Sequence, residues 1–430
     1  MSAPATTPRL PLRRGRRLFE ESQEHVVGGV KRMNLLDDPA WFPTFFRRAE
    51  GPYAWDVDGT RYIDLIGGKG SVVLGYADER VDSAVRAAIA DSSVTPLTSD
   101  LYPRAARLVC ECVDSIERVK FFRSGSEAVS AAVRLARVHT GRDTILTCGY
   151  HGWHDWLVVE RSEDERARVV EFFYDLERLH EVLARRGSEV AAVVVTPEPS
   201  LVAPDFVPRA AALAREGGAL FVLDEIKSGF RFGTGGYQQH VGVRPDLTTF
   251  AKAVANGYAL SGIGGRRDVM EAELETRISG TYETENVGLA AALATIAALE
   301  ALGSTRLQRL YERFVRGVDE LLANAGIGAR CLGTGANAHV VFEDERDAVA
   351  FYRSAAAAGV TFYCFDDVHL TYAHEAVLEE LLAILRAVAA SLSPVAHRLT
   401  AAGVHRYLQR RQIASPASDE RHALVAHLVR

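Results

Sequence analysis

Two stretches of the chain set a chemical question. "VLDEIKSGF", Val222–Phe230, runs from apolar residues into two adjacent carboxylates, Asp224 and Glu225. "LTTFAKAVANG", Leu247–Gly257, sets Lys252 among small residues. A lysine amine can form an imine with a carbonyl compound. A carboxylate at the tip of a buried strand can hold a protonated ring nitrogen where the dielectric is low. Pyridoxal phosphate needs both groups. It also needs a phosphate cup of backbone amides at a helix N-terminus and flat or apolar groups on its ring faces. "RSGSEA", Arg123–Ala128, is a small-residue turn opening a helix, so Gly125 and Ser126 are the candidate phosphate donors. "YHGWHDW", Tyr150–Trp156, offers Tyr150 as a stacking ring. Each feature alone has a plainer use: Ser-Gly-Ser before a helix is a cap, a loop tyrosine packs, and an Asp-Glu pair caps a turn. Their order along the chain gives the combination its weight.

These residues need elements to position them. From about residue 80 onward, strand and helix patterns alternate. "RVKFFRSGSEAVSAAVRLARVHTG" predicts a short strand, a turn and an amphipathic helix closed by Gly141. "DTILTCGYHGW" predicts a strand and loop, and "EVAAVVVTPEP" a strand buried on both faces. "PRAAALAREGGALFVLDE" predicts a helix, a glycine stop and another buried strand. Repeated strand–helix units with buried strands imply an α/β fold: a three-layer α/β/α large domain with a mostly parallel sheet, its ligands beyond the strands' carboxyl ends. "ENVGLAAALATIAALEALGSTRLQRLYERFVRGVDELLANAG" predicts one long helical stretch bridging two domains, and "HVVFEDERDAVAFYRSAAAAGVTFYCF" the strand, helix and strand of a smaller α+β domain. "DGTRYIDLIG" predicts a hairpin. The expected domains are residues 1–55, an arm and segment joining the small domain; 56–310, the large domain; and 311–430, the small domain, whose Arg/His-rich tail is expected to be helical with a solvated face.

The bulk composition agrees with an enzyme. A length of 430 residues suits two or three domains, and 48% apolar with 25% charged residues is ordinary for a globular protein. A net charge of −6 offers no footprint for nucleic acid. The five cysteines show no zinc-site spacing and read as reduced, mostly buried thiols, so no metal is expected. The arginine-rich N-terminus has no apolar run after it, and no apolar stretch is long enough for a membrane span; a cytoplasmic location is the expectation.

With these motifs together, the chain resembles the class III aminotransferases of the fold type I pyridoxal phosphate superfamily, and within them glutamate semialdehyde aminomutase and its secondary-metabolism relatives. The resemblance runs from about Gly28 to Leu385. It is carried by "EGPYAWDVDGTRYIDLIGG", "FFRSGSEAVSAAVRLARVHTGR", "YHGW", "LDEIKSGFR", "GVRPDLTTFAK" and "ISGTYETENVGLAAALATI", in the family's order. The resemblance implies a Schiff-base and proton-shuttling role for Lys252. It implies a pyridinium partner in Asp224, ring packing by Ile226 on one face and Tyr150 on the other, and phosphate binding by Gly125 and Ser126. Thr281, in "GTYET", would reach the phosphate of the neighbouring subunit's cofactor, so a homodimer is expected. Glu225 receives no cofactor contact.

The departures from the pattern concern substrate. The aminomutase carries "GGVNSPVR", whose serine and arginine bind the substrate carboxylate. Here the stretch is "GGVKRMNL", Gly28–Leu35, with Arg32 in the serine's place and Leu35 in the arginine's. A bidentate carboxylate clamp is absent there. "GSWG" is replaced by "GGKG", which sets Lys69 where an aromatic residue faces the substrate. Lys69 either snorkels to solvent or acts as a second base or polar substrate contact. The segment after "YHGW" is shorter than the aminomutase gating loop. Asp366 and Asp367, in "TFYCFDDVHLTYAH", are either a solvated turn or an acidic patch for a polyamine or amino sugar. Ala203 stands where the aminomutase has an asparagine near the cofactor's ring oxygen; Ser200 or a water is the expected substitute. The leading expectation is an aminotransferase acting on an amine or carbonyl substrate without the α-carboxylate, of amino-sugar or aminoglycoside type, with an amino-acid donor. The alternative is an epimerase or aminomutase on the same class, with Lys69 or Tyr150 as second base.

Overall fold

The computed structural model describes residues 12–30, 41–158, 168–418 and positions 425 and 428. The chain divides into two compact units. The smaller comprises Met1–Asp78, Arg306–Arg411 and Ala417–Arg430, and the larger comprises Glu79–Thr305 with Gln412–Pro416. The larger unit thus begins at Glu79 and not at residue 56, because the hairpin before it pairs with a strand from the C-terminal part of the chain.

The smaller unit opens with β1 (Phe46–Glu50), β2 (Tyr53–Asp56) and β3 (Arg61–Asp64). β2 and β3 form the expected hairpin, and Asp56 Oδ1 closes its turn by accepting from Asp58 N and Thr60 N.

The larger unit holds β4 (Arg118–Phe122), β5 (Thr144–Cys148), β6 (Val169–Glu171), β7 (Val190–Val195), β8 (Leu220–Asp224), β9 (Leu247–Phe250) and β10 (Ser261–Gly265), in the order β4-β10-β9-β8-β7-β5-β6. The pairs β9–β8, β8–β7, β7–β5 and β5–β6 are parallel; β10 is antiparallel to β9 and β4. Every residue of β5, β7 and β8 is buried, as continuous apolar runs demand of strands covered on both faces. The helix Gly125–Thr140 sends Val129, Ala132, Val133 and Ala136 into the same apolar cluster as Val194, Val222 and Ile263. A fully buried valine contributes about 1.5 kcal/mol or more. This layer holds the strand ends that carry the chemistry.

The stretch expected as one long helix breaks at Gly303, whose φ of 72° ends a helix at Leu302 before a second one starts at Ser304. The chain then supplies β11 (Ala329–Thr334), β12 (Asn337–Phe342) and β13 (Val360–Thr361) to the smaller unit. β13 joins β3 in parallel, completing the order β1-β2-β3-β13, and β11 and β12 form a separate hairpin. The expected strand–helix–strand is β12, the helix Glu345–Ala357 and β13. The tail forms the expected helix, Ala401–Arg410, but it is not merely a solvated face: Val404, Tyr407 and Leu408 are buried. Among the described residues, no single helix is long and apolar enough to cross a membrane.

Candidate functional site

The two acids at the tip of β8 have different surroundings. Asp224 is buried, and its Oδ1 accepts from Thr249 Oγ1 at 2.9 Å and Ile226 N at 3.2 Å. Its Oδ2 lies 2.7 Å from Nδ1 of His151, which is also buried. The other ring nitrogen, Nε2, lies 3.0 Å from the carbonyl oxygen of Cys148. A carbonyl only accepts, so Nε2 carries hydrogen. A neutral ring with a bare Nδ1 facing a carboxylate at 2.7 Å is repulsive. The pair therefore shares one further hydrogen, as imidazolium and carboxylate or as imidazole and carboxylic acid. Asp224 is fixed by neutral donors and one imidazole, and it remains suited to a cationic ring N–H.

Glu225 serves the fold. Its carboxylate accepts from Tyr237 N (2.6 Å), Gln238 N (2.9 Å), Gln238 Nε2 (3.1 Å) and Ser228 Oγ (3.0 Å). Burial nevertheless pushes its carboxyl above the ordinary range. It pins the start of the short helix Gly236–Val241.

The predicted phosphate cup sits at the start of helix Gly125–Thr140. Ser124 and Glu127 form a capping box. That box uses the N–H of Glu127, whereas the N–H groups of Gly125 and Ser126 have no acceptor within the helix. Two glycines show how closely the site residues pack. A Cβ on Gly125 would lie 2.7 Å from Cδ1 of Ile226, and one on Gly152 would collide with Ser126 Oγ. Ile226 is thus seated against the cup, and the glycine of "YHGW" lets its loop approach the cup's serine. This cradle, with the hydrogen-sharing acid at β8, fits the phosphate and the ring nitrogen of pyridoxal phosphate.

Lys252 begins the short turn after β9 with φ of 50°, a left-handed conformation that a lysine adopts at a cost and that clusters at functional sites. Tyr150 stands 69% exposed on the loop after β5. Thr281 is exposed in the loop before helix Asn286–Leu302. Arg123, one residue before the capping serine, ties that loop down: Nη1 donates to Glu285 Oε2 (2.9 Å) and Ala259 O (3.0 Å), and Nη2 to Glu283 O (2.9 Å).

In the smaller unit, Lys69 lies in a run of positive φ from Gly67 to Gly70, with its own φ at 59°. Its Nζ sits 5.0 Å from the centre of the Tyr363 ring. Asp366 and Asp367 are neither a solvated turn nor an open acidic patch. Arg411 bonds to both, at 3.0 Å to Asp367 and more closely to Asp366, and Asp367 is buried. Arg32 and Leu35 lie outside the described residues, as does part of the expected short loop after "YHGW".

His151 was not among the expected site residues. The motif "YHGW" drew attention to its tyrosine, and only the parallel neighbouring strands β5, β7 and β8 show that the histidine reaches Asp224. The Lys227–Glu198 ion pair, 2.6 Å long at the ends of β8 and β7, was also not foreseen.

Residues 37–379 match the family model for aminotransferase class-III. The chain is 35% identical over 376 residues to 2'-deamino-2'-hydroxyneamine transaminase from Streptomyces kanamyceticus, covering 85% of this chain and 95% of that protein. It is 35% identical over 364 residues to glutamate-1-semialdehyde 2,1-aminomutase from Desulforudis audaxviator, covering 77% and 83%. The PLP internal aldimine form of the FumI protein from Sphingopyxis sp. MTA144 superposes with a TM-score of 0.81 at 27% identity, over 89% of this chain and 98% of that one. The match takes in β8 with its acid, the cup and Lys252 alike, and the chain belongs to the class-III aminotransferases, enzymes that work with pyridoxal phosphate.

Proposed function

We propose that this enzyme moves an amino group between an amino-acid donor and an amine or carbonyl substrate that lacks the α-carboxylate, of amino-sugar or aminoglycoside type. The observation that carries this reading is the pair Arg32 and Leu35, where the aminomutase pattern has its carboxylate-binding serine and arginine. The similarity to 2'-deamino-2'-hydroxyneamine transaminase over nearly all of that protein's length supports it. Pyridoxal phosphate, when bound, supplies an electron sink for the bonds at the substrate's amine carbon. Asp224, oriented by His151 and Thr249, holds the hydrogen on the ring nitrogen. The amides of Gly125 and Ser126 bind the phosphate, and Ile226 and Tyr150 flank the ring. Lys252 Nζ would take the proton from the substrate's amine carbon and return it, across the carbon–nitrogen bond, to the cofactor's carbonyl carbon. A homodimer, with Thr281 reaching the partner's phosphate site, accords with the exposure of Thr281 on a loop held by Arg123.

The test is a screen of the cofactor's absorbance against amino acids, simple amines and aminoglycosides. An aminoglycoside or amino sugar should bleach the visible band once and stall without a keto acid. A response confined to α-amino acids rejects the substrate class.

A second reading is epimerisation or amine migration on the same class, with Lys69 or Tyr150 as second base. The strained backbone at Lys69 favours it, as does the similarity to an aminomutase. Turnover without a keto acid, with solvent deuterium entering the substrate carbon and lost in K69A, would support it. Undiminished activity in K69A removes Lys69 from that role.

A further inference from the structure

The loop between β5 and the short helix Asp155–Val158 carries two histidines, His151 and His154. His151 reaches the acid at the tip of β8. His154 has no part in the chemistry assigned so far. Its Nδ1 lies 2.7 Å from Oγ of Ser130, and that hydroxyl donates to the carbonyl oxygen of Ser126 at 2.8 Å. A hydroxyl has one hydrogen, and a carbonyl only accepts. Both contacts are made together only if Ser130 accepts from His154, so Nδ1 carries the hydrogen. The line of donors thus runs from His154 through Ser130 and ends on Ser126, the serine of the phosphate cup.

The same loop is seated against the cup between its two histidines. Gly152 has a φ of 91°, and a Cβ on it would lie 2.9 Å from the Cβ of Ser126. The Trp153 ring meets the His154 ring edge-on, with centroids 5.0 Å apart. The carbonyl oxygen of Tyr150 accepts from Thr196 Oγ1 at 3.1 Å. The Tyr150 ring itself stands 69% exposed, so packing does not hold it. Its place is set by where the loop is anchored: His151 ties the loop to the acid, and His154 ties it to the helix that carries the cup.

We propose that His154 is a positioning residue for pyridoxal phosphate: through Ser130 it fixes the Tyr150 loop to the phosphate cup and so sets where the Tyr150 ring stands over the cofactor. With one histidine at each anchor, a single loop spans the site from the ring-nitrogen end to the phosphate end. A loop anchored beforehand spares binding the entropy of ordering it. This inference rests on the reading that Tyr150 flanks the ring, and it deepens that reading.

The test compares H154L, S130A and H154N. S130A suits the helix, since alanine is the best helix former, and it decides alone if H154L does not fold. Asparagine at position 154 places an amide N–H where Nδ1–H stands. Two dissociation constants are read on the apoenzyme: that of pyridoxal phosphate, by fluorescence titration, and that of inorganic phosphate, by isothermal titration calorimetry. H154L and S130A should weaken pyridoxal phosphate about fivefold and leave inorganic phosphate within about twofold, because phosphate alone meets only the cup. H154N should bind both as the wild type does. Unchanged cofactor binding in S130A overturns the proposal. An equal loss for both ligands also overturns it and leaves the pair as support for the helix; so does an H154N variant that binds the cofactor as poorly as H154L. Y150A separates this failure from that of the reading beneath it. If Y150A binds the cofactor as the wild type does, Tyr150 does not flank the ring and that reading fails. If Y150A is weakened and S130A is not, only the role of His154 fails.

Discussion

Among the described residues there are two buried histidine–aspartate pairs, one in each unit, and their surroundings differ. In the larger unit His151 Nδ1 meets Asp224 at 2.7 Å; in the smaller, His339 Nε2 meets Asp367 at 3.2 Å. Asp224 is otherwise bound by the hydroxyls of Thr249 and Thr196 and by a backbone amide. Asp367 also receives the Arg411 guanidinium and the Asn337 amide, and His339 Nδ1 bonds to the Tyr407 hydroxyl at 2.8 Å. A permanent cation already compensates the second carboxylate. The first, among the described residues, is held by an imidazole and by neutral hydroxyl and amide donors. Burial and a histidine do not by themselves mark a reactive acid; a fixed cation on the carboxylate distinguishes the Asp367 pair from the pair proposed to hold the cofactor.

This difference can be broken experimentally. The largest effect should come from K252A, which removes the amine: turnover should disappear in a steady-state assay while circular dichroism stays at wild type. D224N should keep the fold and lower kcat/KM by at least about a hundredfold, with a changed absorbance of the bound cofactor; wild-type kinetics in D224N would erase the distinction. D367N belongs on the other side of the comparison. It leaves Arg411 without one carboxylate and should cost about 3 kcal/mol of stability, seen as a lower Tm by calorimetry, without altering cofactor affinity. Y407F deletes one hydrogen bond to His339 and should cost about 1 kcal/mol in the same measurement.

The smallest effect concerns the thiols. Cys112 is pushed up to about 12 by burial, with Glu300 adding to the rise, and burial also raises Cys110, Cys148, Cys331 and Cys364. A raised thiol pKa leaves little thiolate at pH 8, and reactivity should grow only as the pH rises toward these values. Iodoacetamide should therefore label the native enzyme slowly at pH 8, read by mass spectrometry, with little loss of activity. Labelling within minutes would contradict this burial.

Much of the fold was legible because burial on both faces leaves a local mark. β5, β7 and β8 are continuous apolar runs, and the helix after the cup ends at Gly141 in a left-handed cap. β10, "SGIGG", carries no such mark. Its glycines are required because Phe250 crowds Gly262 and Ile116 crowds Gly264, pressures that come from distant parts of the chain. Gly303 likewise reads as one tolerated glycine in an apolar helix until the backbone turns there. Of the proposed site, Asp224, Lys252, Gly125 and Ser126 could be picked out because residue type and place after a strand or before a helix suffice to suggest their chemistry; Ile226 came only from the family resemblance.

What the sequence determined by itself was therefore the inventory: an acid at a strand tip, a lysine after the next strand, a glycine–serine turn before a helix, and the substitutions at Arg32, Lys69 and Ala203. Tertiary structure decided how neighbours divide the work. It assigned Asp224 to His151 and Glu225 to the backbone of Tyr237 and Gln238, although the two acids are adjacent and alternate faces of one chain. It closed Asp366 and Asp367 around Arg411, and it paired Lys227 with Glu198. The reason is physical: hydrogen bonds and ion pairs reach only about 3 Å, and residues that far apart in space are separated along this chain by turns, helices and whole strands.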